Sequence, residues 1–580
     1  IPGNGYSLWM GMSRGGIDNY KLAYIIGGLL LLTVCPLLFP KIGEQQYSYV
    51  QGLCFLSLSW LALAFQMQKR KQTMVVRSMD IAVGVCLLAL LLHVFWIKPV
   101  SLPVWRWVDA VGLLAFYVFV RQSSSKGIKI LLACVMVGGV IQCFYAGMQG
   151  TGLLPSLHNA FPMTGSFLNP APLAGYLAVL VCMLVACLFL GGRLQGKIRQ
   201  LAWGSLLLFF LFVLLLNSRA ALFAVIVIMV VVGYSRLKFK RKKLYAGLLI
   251  VGLGLSLCGL YQVREVSANG RLFIWKNTCE MIKDHPLVGV GIDRFKAEFP
   301  AYQAQYHSQL TQEAEKYYDG NTFLVFNEYL RAVAETGCLL PLLALLPLGM
   351  VWRYKDVSTE TWMAAGGLGC LLVFGFFSYP FSILTLKVLA VLFLGIIGRE
   401  SRVVCSWNVS NSLQSVVGGT AVVCVAFSCY GLTVVSKISS YAHTDEKYAC
   451  RFRDNVSFVR HYCQETLERG DTVQAIQILS DAIGRIPVAG FYQHRAELYV
   501  EMGGYQQAEA DYKFLRNLSP TALEPVLELA RLYRDMGRVE EALVTLKPYQ
   551  KVSPKGKTLE QKAVLLEIRE LYQAILLKKP

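Results

Sequence analysis

The chain has 580 residues, of which 55% are hydrophobic and only 16% charged, and its mean hydropathy is +0.48. A soluble protein of this length needs about 25% charged residues to cover its surface, so the composition excludes a soluble protein and predicts a membrane protein. The formal net charge is +20, but the basic residues cluster between apolar segments, as at 69–71 and 236–243. That placement is typical of cytoplasmic loops and argues against a nucleic-acid-binding surface.

The 16 cysteines are scattered, mostly inside apolar segments, and no Cys-x-x-Cys pair occurs. We therefore predict buried apolar cysteines and neither a metal site nor a disulfide framework. The first long apolar segment follows about 20 polar and glycine-rich residues, a pattern that does not predict a cleavable signal peptide.

Apolar segments long enough to cross a bilayer recur along the first 436 residues. A helical span takes about 20 residues, so we predict an all-α polytopic bundle of about 12 or 13 spans over residues 1–436. A tight turn at Asn217, Ser218 and Arg219 divides the segment 200–235 into two spans. The predicted spans are 22–39, 47–67, 80–97, 103–120, 129–149, 169–190, 200–216, 220–235, 244–261, 337–352, 361–377, 382–398 and 415–436.

The basic residues give the predicted bundle an orientation. If the segment before the first span is cytoplasmic, Lys and Arg concentrate in the loops on the cytoplasmic side. The short loops on the external side contain few basic residues. This alternation places the long loop 262–336 and the C-terminal domain on the external side. The loops predicted to be external are 40–46, 98–102, 150–166, 217–219, 262–336 and 378–381.

Residues 437–580 have the composition of a soluble domain and repeat with a period of about 34 residues. Small residues, a glycine and a proline recur at matching positions, which is the pattern of paired helices in tetratricopeptide (TPR) repeats. We therefore predict a soluble α-solenoid of TPR repeats, an architecture that mostly binds peptides or proteins. The matching pairs are Ala496 and Ala530, Leu498 and Leu532, Tyr499 and Tyr533, Met502 and Met536, Gly503 and Gly537, Ala508 and Ala542, and Pro520 and Pro554.

Two arginines are the first candidates for a functional site. Arg219 stands alone between two apolar spans, where it either anchors the helix at the lipid headgroups or binds an anionic lipid phosphate. Arg271 follows the polar residues Asn269 and Gly270, and we expect it to begin a short amphipathic helix.

A further cluster of charges precedes the next span. On a helix, Glu328, Arg331 and Glu335 fall at i, i+3 and i+7 and share one face. They form either a surface ion-pair ladder or part of the site. Upstream, Gly289 and Gly291 indicate a turn and are too sparse for a phosphate-binding loop.

The chain carries six short motifs, in this order: Phe167-Leu168-Asn169-Pro170, Ser218-Arg219-Ala220, Arg271-x-x-x-Trp275, Pro286-Leu287-x-Gly289-x-Gly291, Asn327-x-Tyr329-Leu330 and Glu335-x-Gly337. Their order resembles that in the O-antigen ligase superfamily, over about residues 150–400. This superfamily includes lipopolysaccharide O-antigen ligases, bacterial protein O-oligosaccharyltransferases and polysaccharide polymerases. Some of its members also carry C-terminal TPR domains.

The resemblance implies a GT-C-like fold in the bacterial inner membrane, with the site and the TPR domain in the periplasm. A glycan passes from an undecaprenyl pyrophosphate-linked donor to a hydroxyl acceptor, without a metal or other cofactor. Arg219 and Arg271 would bind the pyrophosphate, where fixed guanidinium charges stabilise the developing charge. Glu328 and Glu335 are the candidate catalytic carboxylates. The candidate substrate-binding residues are Asn169, Trp275, Asn327, Arg331, Tyr329 and His158.

The chain departs from the family at one position. Many members have a His-Asn pair at the end of the long loop, and here that pair is Phe326-Asn327. The base for the acceptor hydroxyl therefore stays open: a carboxylate, with Glu328 ahead of Glu335, or an external histidine. A reaction driven mainly by leaving-group stabilisation is a further possibility. The external histidines are His158, His285 and His307.

Several alternatives follow from the same residues. The TPR domain could recruit an acceptor protein, which favours protein glycosylation, or organise a cell-envelope assembly complex. A polymerase of the same superfamily would instead join two lipid-linked units. A transporter would carry charges in mid-span, and few occur, Lys387 and Asp109 among them. If the protein were a non-catalytic scaffold, Arg219 and Arg271 would have no function. The sequence leaves open the sugar, the oligomeric state and whether the acceptor is a protein, lipid A or another glycan.

Overall fold

The structure, a computed structural model, describes residues 19–33, 44–68, 73–192, 194–236, 265–309, 322–351, 357–439, 452–551 and 558–577. Within these ranges the chain is mainly helical, which confirms the predicted class. The predicted span 244–261 and the last residues of the predicted span 22–39 lie outside the described ranges.

The first part of the bundle consists of α1 (Asn19–Thr33), α2 (Glu44–Met67), α3 (Ser78–Leu92, continued as a π-helix over His93–Ile97), α4 (Val104–Arg121), α5 (Ser125–Gly150), α6 (Pro170–Leu190), α7 (Gly196–Leu215) and α8 (Arg219–Arg236). The long loop contains α9 (Glu265–Asp284), α10 (Phe295–Gln309) and α11 (Glu328–Thr336). The bundle then continues with α12 (Leu339–Leu343), α13 (Leu345–Val351), α14 (Thr359–Gly375), α15 (Leu384–Gly398) and α16 (Asn411–Ser439).

Six of the described helices are long and apolar enough to cross a membrane, and three shorter apolar segments accompany them. The predicted turn between α7 and α8 is confirmed, with Asn217 in the left-handed region at φ 48°. The predicted span 337–352 is interrupted at Ala344, between α12 and α13. Pro347 explains the interruption, because it has no N–H to donate to the carbonyl of Leu343.

Helix α6 forms the centre of the bundle. Every residue from Pro172 to Cys187 is buried, and α7, α8 and α14 pack around the helix. A helix that is apolar on all sides is typical of a protein core or a membrane span. Its start is defined by Asn169, which accepts a hydrogen bond of 3.0 Å from the Ala171 N–H, and by Pro170 at the first helical position.

One face of the bundle, which we call the sheet face, joins the loops that are rich in Lys and Arg. Here β1 (Thr73–Arg77) pairs antiparallel with β2 (Val403–Asn408), and Lys129 lies 3.5 Å from Glu360. The all-α prediction missed this small sheet, since its two strands are short and far apart in sequence.

The opposite face, which we call the loop face, joins segments that were predicted to be external. Arg106, at the start of α4, lies 2.5 Å from Asp293 of the long loop. The Phe381 N–H, between α14 and α15, donates to Glu328 at 2.8 Å. The two faces thus group the loops as the charge alternation predicted, and the periplasmic location of the loop face stays a prediction.

The long loop is a folded unit. Helices α9, α10 and α11 surround a small hydrophobic core of Met281, Val290, Phe295, Phe299, Val325 and Ala334. This unit holds the charged residues of the loop on defined helix faces.

The C-terminal region is a series of paired helices, whose starts recur at about the 34-residue spacing of the sequence repeat. Ala475, Ala508 and Ala542 are fully buried where the helices cross, and Gly503 and Gly537 turn the chain at positive φ. Helical pairing is thus confirmed, while the assignment to the TPR class stays a prediction. The helices are α17 (Val456–Glu468), α18 (Thr472–Ile483), α19 (Ala489–Glu501), α20 (Tyr505–Leu518), α21 (Glu524–Asp535), α22 (Val539–Leu546) and α23 (Leu559–Leu577).

Candidate active site

The structure brings Arg219 and Arg271 together on the loop face. Arg219 is the first residue of α8, and Arg271 lies in the second turn of α9, which begins at Glu265 rather than at Arg271 as predicted. Burial lowers the pKa of Arg271, and the nearby positive charge of Arg219 lowers it further. Two guanidinium groups of like charge therefore share a partly buried position.

Phe377 is the residue that connects the two arginine-bearing helices. Its carbonyl accepts a hydrogen bond of 2.8 Å from Nη1 of Arg271. Its ring packs edge-on against Phe223, which lies one turn beyond Arg219 on α8, with the ring centroids 5.5 Å apart. The segment after α14 thus fixes both helices relative to each other.

An aromatic wall surrounds the Arg271 side chain. The guanidinium lies over the ring of Phe326, 5.3 Å from its centroid, and this contact is a cation–π interaction. Phe326 packs edge-on against Tyr379 at 5.5 Å, and the phenol of Tyr379 partly offsets the lowering of the Arg271 pKa. Phe326, at the position where a histidine was expected, therefore supports Arg271.

Trp275, a predicted substrate-binding residue, is held by the backbone of the loop. Its indole N–H donates to the Val325 carbonyl at 2.9 Å, and its ring lies 6.4 Å from that of Phe377. The contacts of Trp275 fix α9 against the residues that precede α11, next to the arginine pair.

Asn327 and Arg331 have defined positions on α11. The Asn327 side chain caps the helix by accepting hydrogen bonds from the N–H groups of Tyr329 and Leu330, at 3.0 and 3.1 Å. Arg331 donates to the hydroxyl of Ser382 at 2.7 Å. Arg331 thus joins the long loop to the segment between α14 and α15, whereas Asn327 defines the start of α11.

Glu328 is almost fully enclosed. One carboxylate oxygen accepts from the Phe381 N–H at 2.8 Å, and the other lies 2.6 Å from Arg331. Burial raises the pKa of Glu328, and the charge of Arg331 and the Phe381 hydrogen bond oppose that rise. Through these two contacts Glu328 positions the 380–382 segment, and each oxygen keeps a lone pair that can accept a proton.

Glu335 lies at the other end of α11, beside the glycine-containing motif. Its carbonyl accepts from the Gly291 N–H at 2.9 Å. Burial raises the pKa of its side chain, Arg331 opposes the rise and Asp293 adds to it. A Cβ on Gly289 would come within 2.4 Å of the Glu335 backbone, so the motif needs glycine to run along the end of α11.

The remaining predicted substrate-binding residues are more dispersed. Asn169 caps α6 with its side chain, as described above. Tyr329 donates from its hydroxyl to the Leu372 carbonyl at 2.8 Å and packs on Phe376. His158 lies in the exposed loop after α5, with its ring 4.8 Å from that of Phe161.

The other two histidines lie at separate parts of the loop face. His307 is buried, and its ring stacks on Phe273 with centroids 5.2 Å apart. His285 lines a cavity of about 600 Å³ bounded by the 98–103 segment, the start of α10 and two residues of the C-terminal region. The contacts of His307 give it a structural position and His285 faces the cavity, whereas Phe326, Phe377 and Tyr379 lie around Arg271.

The contribution of the short segment after α14 was not predicted from the sequence. Phe377 and Tyr379 contact Arg271 or its neighbours, yet they were assigned only to the end of a span and to a short external loop. Their signal was an aromatic-rich run, Phe376-Phe377-Ser378-Tyr379-Pro380-Phe381, at the membrane boundary.

A family model described as O-antigen ligase matches residues 204–346. The match includes both arginines of the pair, all of α9 to α11 and the candidate carboxylates. It supports an O-antigen ligase or polymerase type of membrane enzyme. No curated protein matches the chain.

Proposed function

We propose that this protein is a bacterial inner-membrane glycosyltransferase that moves a glycan from an undecaprenyl pyrophosphate-linked donor to a hydroxyl acceptor at the loop face. The observation that carries the proposal is the juxtaposition of Arg219 and Arg271. Both arginines lie within the part of the chain that matches the O-antigen ligase family.

The chemistry explains why two arginines suit this reaction. The acceptor oxygen attacks the anomeric carbon while the bond from that carbon to the pyrophosphate oxygen breaks, and its electron pair stays on the pyrophosphate. Positive charges at fixed positions stabilise the leaving group, most strongly where water is partly excluded. The planar guanidinium also matches phosphate oxygens in geometry. Arg219 and Arg271 therefore supply the positive charge, and the proposed reaction uses no metal.

The acceptor hydroxyl must lose its proton during the attack. We assign this proton to a carboxylate of α11, either Glu328 or Glu335, because a raised pKa brings a base closer to neutral operating pH. Because Glu328 is only 6% exposed, an acceptor reaches it more readily once its contact with Arg331 opens. Substrate binding at Arg331 is one way in which that contact opens.

The C-terminal region supports the choice of acceptor. We propose that its paired helices are TPR repeats in the periplasm that recruit an acceptor protein, so that protein O-glycosylation is favoured over ligation to lipid A. Polymerisation of two lipid-linked units, the alternative in the same superfamily, needs no protein-binding domain.

A transporter is a weaker candidate. Its function requires charges in mid-span that change partners. Lys387 and Asp109 lie 2.5 Å apart, within the first two turns of α15 and α4, and form an ion pair. This contact gives both residues a structural role.

The test uses full-length protein in nanodiscs with a lipid-pyrophosphate glycan pool, candidate acceptors and EDTA throughout. We expect transfer by the wild type, and a loss of about 100-fold or more in Arg219→Ala and Arg271→Ala. Arg294→Ala is the matched control, since Arg294 pairs with Glu298 on the exposed surface of the loop.

The labelled acceptor distinguishes the functions within the superfamily. A glycosylated protein supports an oligosaccharyltransferase, a glycosylated lipid A supports a ligase, and a lengthened lipid-linked glycan supports a polymerase. The proposal is contradicted if folded wild-type protein consumes no donor with any acceptor. The role of the arginines is contradicted if Arg219→Ala and Arg271→Ala are as active as the control Arg294→Ala.

A further inference from the structure

Helix α10 lies between the C-terminal region and the rest of the long loop. On one side, Phe295 and Phe299 belong to the small core that α10 shares with α9 and α11. On the other side, α10 packs against α20 of the C-terminal region. Gln303 and His307, four residues apart, lie on the side facing α20 and are only 2% and 5% exposed.

These two side chains bind the end of α20. The Gln303 amide donates to the Leu518 carbonyl at 3.1 Å, and Nδ1 of His307 lies 3.0 Å from the Asn517 carbonyl. A carbonyl only accepts, so Nδ1 carries the proton. The last carbonyls of a helix have no partner within that helix, and α10 supplies partners for two of them.

His307 also contacts α9, the helix that bears Arg271. Its ring is nearly parallel to that of Phe273, at an interplanar angle of 14°. Phe273 is buried and lies two residues from Arg271, so the stack contacts the same helical turn. His307 therefore touches the C-terminal region with one ring nitrogen and the arginine-bearing helix with its ring face.

A second connection lies at the other end of α10. Lys296 is 3.3 Å from Asp454 of the C-terminal region and 3.2 Å from Asp293, which also pairs with Arg106 of α4. These side chains are between 10% and 24% exposed, so solvent screens the ion pairs less than it does surface pairs. The C-terminal region thus holds α10 near both of its ends.

We propose that the C-terminal region is a structural part of the active site, in which His307 acts as a positioning residue that holds α9, and with it Arg271, in place. This role is distinct from acceptor recruitment, and its effect on transfer rests on the proposed function. It predicts that the C-terminal region affects the chemistry even with an acceptor that does not bind to it.

The test uses full-length protein in nanodiscs and three variants. His307→Ala removes both contacts, His307→Phe keeps a ring to stack on Phe273, and Gln305→Ala changes an exposed neighbour on the same helix. Hydrogen exchange of the 265–284 segment reports the order of α9, and binding of inorganic pyrophosphate reports the arginine site without any transfer.

We expect His307→Ala to exchange about 10-fold faster over 265–284 and to bind pyrophosphate about 10-fold more weakly. Its kcat should fall about 10- to 100-fold, with the KM for the acceptor unchanged. His307→Phe should give values between those of His307→Ala and the wild type in all of these measurements, because the stack on Phe273 is retained. Gln305→Ala should match the wild type.

The outcomes separate this inference from the proposed function. Faster exchange confined to 295–309, with α9 and pyrophosphate binding unchanged in both His307 variants, overturns the positioning role even if the wild type transfers glycan. If the wild type transfers no glycan but α9 still exchanges faster in His307→Ala, only the proposed function is contradicted. If His307→Ala does not fold, the exchange of α9 and the binding of pyrophosphate are compared between His307→Phe and the wild type.

Discussion

Arg219 and Arg271 lie on separate helices, and the charge of Arg219 adds to the lowering of the Arg271 pKa that burial causes. Two like charges in a partly buried position repel each other more strongly than they would in water. A pyrophosphate bound between them relieves that repulsion, so the arrangement favours a doubly charged anion. The Phe377 carbonyl and the Phe326 ring contact the Arg271 guanidinium, and Tyr379 packs on Phe326.

Replacing Arg271 by lysine tests whether charge alone is sufficient. Arg271→Lys keeps the positive charge but loses the planar group that bonds the Phe377 carbonyl and lies over Phe326. We expect transfer about 10-fold below wild type, and clearly above that of Arg271→Ala. Steady-state kinetics with a lipid-pyrophosphate donor measure the difference. Equal activity of the lysine and alanine variants would show that charge at this position has no role.

The buried carboxylate of Glu328 predicts a pH dependence of stability. Burial raises its pKa above the ordinary value of 4.5, so the folded protein binds this proton more tightly than the unfolded chain does. As the pH rises from 4.5 through the raised pKa, the free energy of unfolding therefore decreases, by about 1.4 kcal/mol for each pKa unit of elevation.

Thermal melting in detergent between pH 4.5 and 8 checks this slope. Glu328→Gln lacks the titrating group, so its Tm should fall less with rising pH than that of the wild type. Glu280→Gln, at an exposed position on α9, should keep the wild-type slope. Identical pH profiles for the wild type and Glu328→Gln would contradict the prediction.

Gly337 is required by the close contact between the glycine motif and the end of α11. It has φ 72°, and a Cβ there would come within 1.9 Å of the Leu287 carbonyl oxygen. We expect Gly337→Ala to destabilise the protein by about 2–4 kcal/mol, because the strain of alanine at this φ and the clash of its Cβ with the backbone both cost free energy.

A matched glycine in α13 gives the control for this change. Gly349 has open space around the position of a Cβ, so Gly349→Ala should leave Tm unchanged or raise it, since alanine favours the helix by about 1 kcal/mol. Equal melting temperatures for Gly337→Ala and wild type would refute the assignment.

Acid should weaken the C-terminal region through Glu509. Burial raises the pKa of this residue, but hydrogen bonds from Arg538, Lys513 and Tyr533 outweigh burial and lower the pKa to about 2. The folded state therefore binds the proton less tightly than the unfolded chain. The stabilisation is present above pH 4.5 and is lost as the pH falls towards 2.

Hydrogen exchange of residues 505–546, corrected for the intrinsic effect of pH, measures this loss. Between pH 5 and 3, wild-type protein should lose protection, while Glu509→Gln should already be less protected at pH 7 and change less. Glu497→Gln, which alters an exposed side chain of α19, serves as the comparison. A Glu509→Gln variant as acid-sensitive as the wild type would exclude this ion-pair cluster as the cause.

Much of the architecture was predictable because its signals are local. The apolar run of α6, the Asn217 turn and the recurring Gly503 and Gly537 each depend on residues within one or two helical turns. Arg219, Arg271 and Glu328 were likewise selected from short motifs. The alternation of basic loops grouped the segments onto two faces, because each crossing of the membrane reverses the side of the next loop.

Which of these residues meet becomes clear only in the folded chain. Phe377 and Tyr379 join Arg271 from a different part of the chain, His307 links α9 to α20, and Glu328 uses both oxygens to hold its surroundings. Such contacts depend on how helices distant in sequence pack, and no local pattern encodes that packing. Local sequence patterns thus predicted the helices, the repeats and the arginines, whereas the surroundings in which we propose that the arginines bind an anion arise only from long-range burial and the approach of like charges.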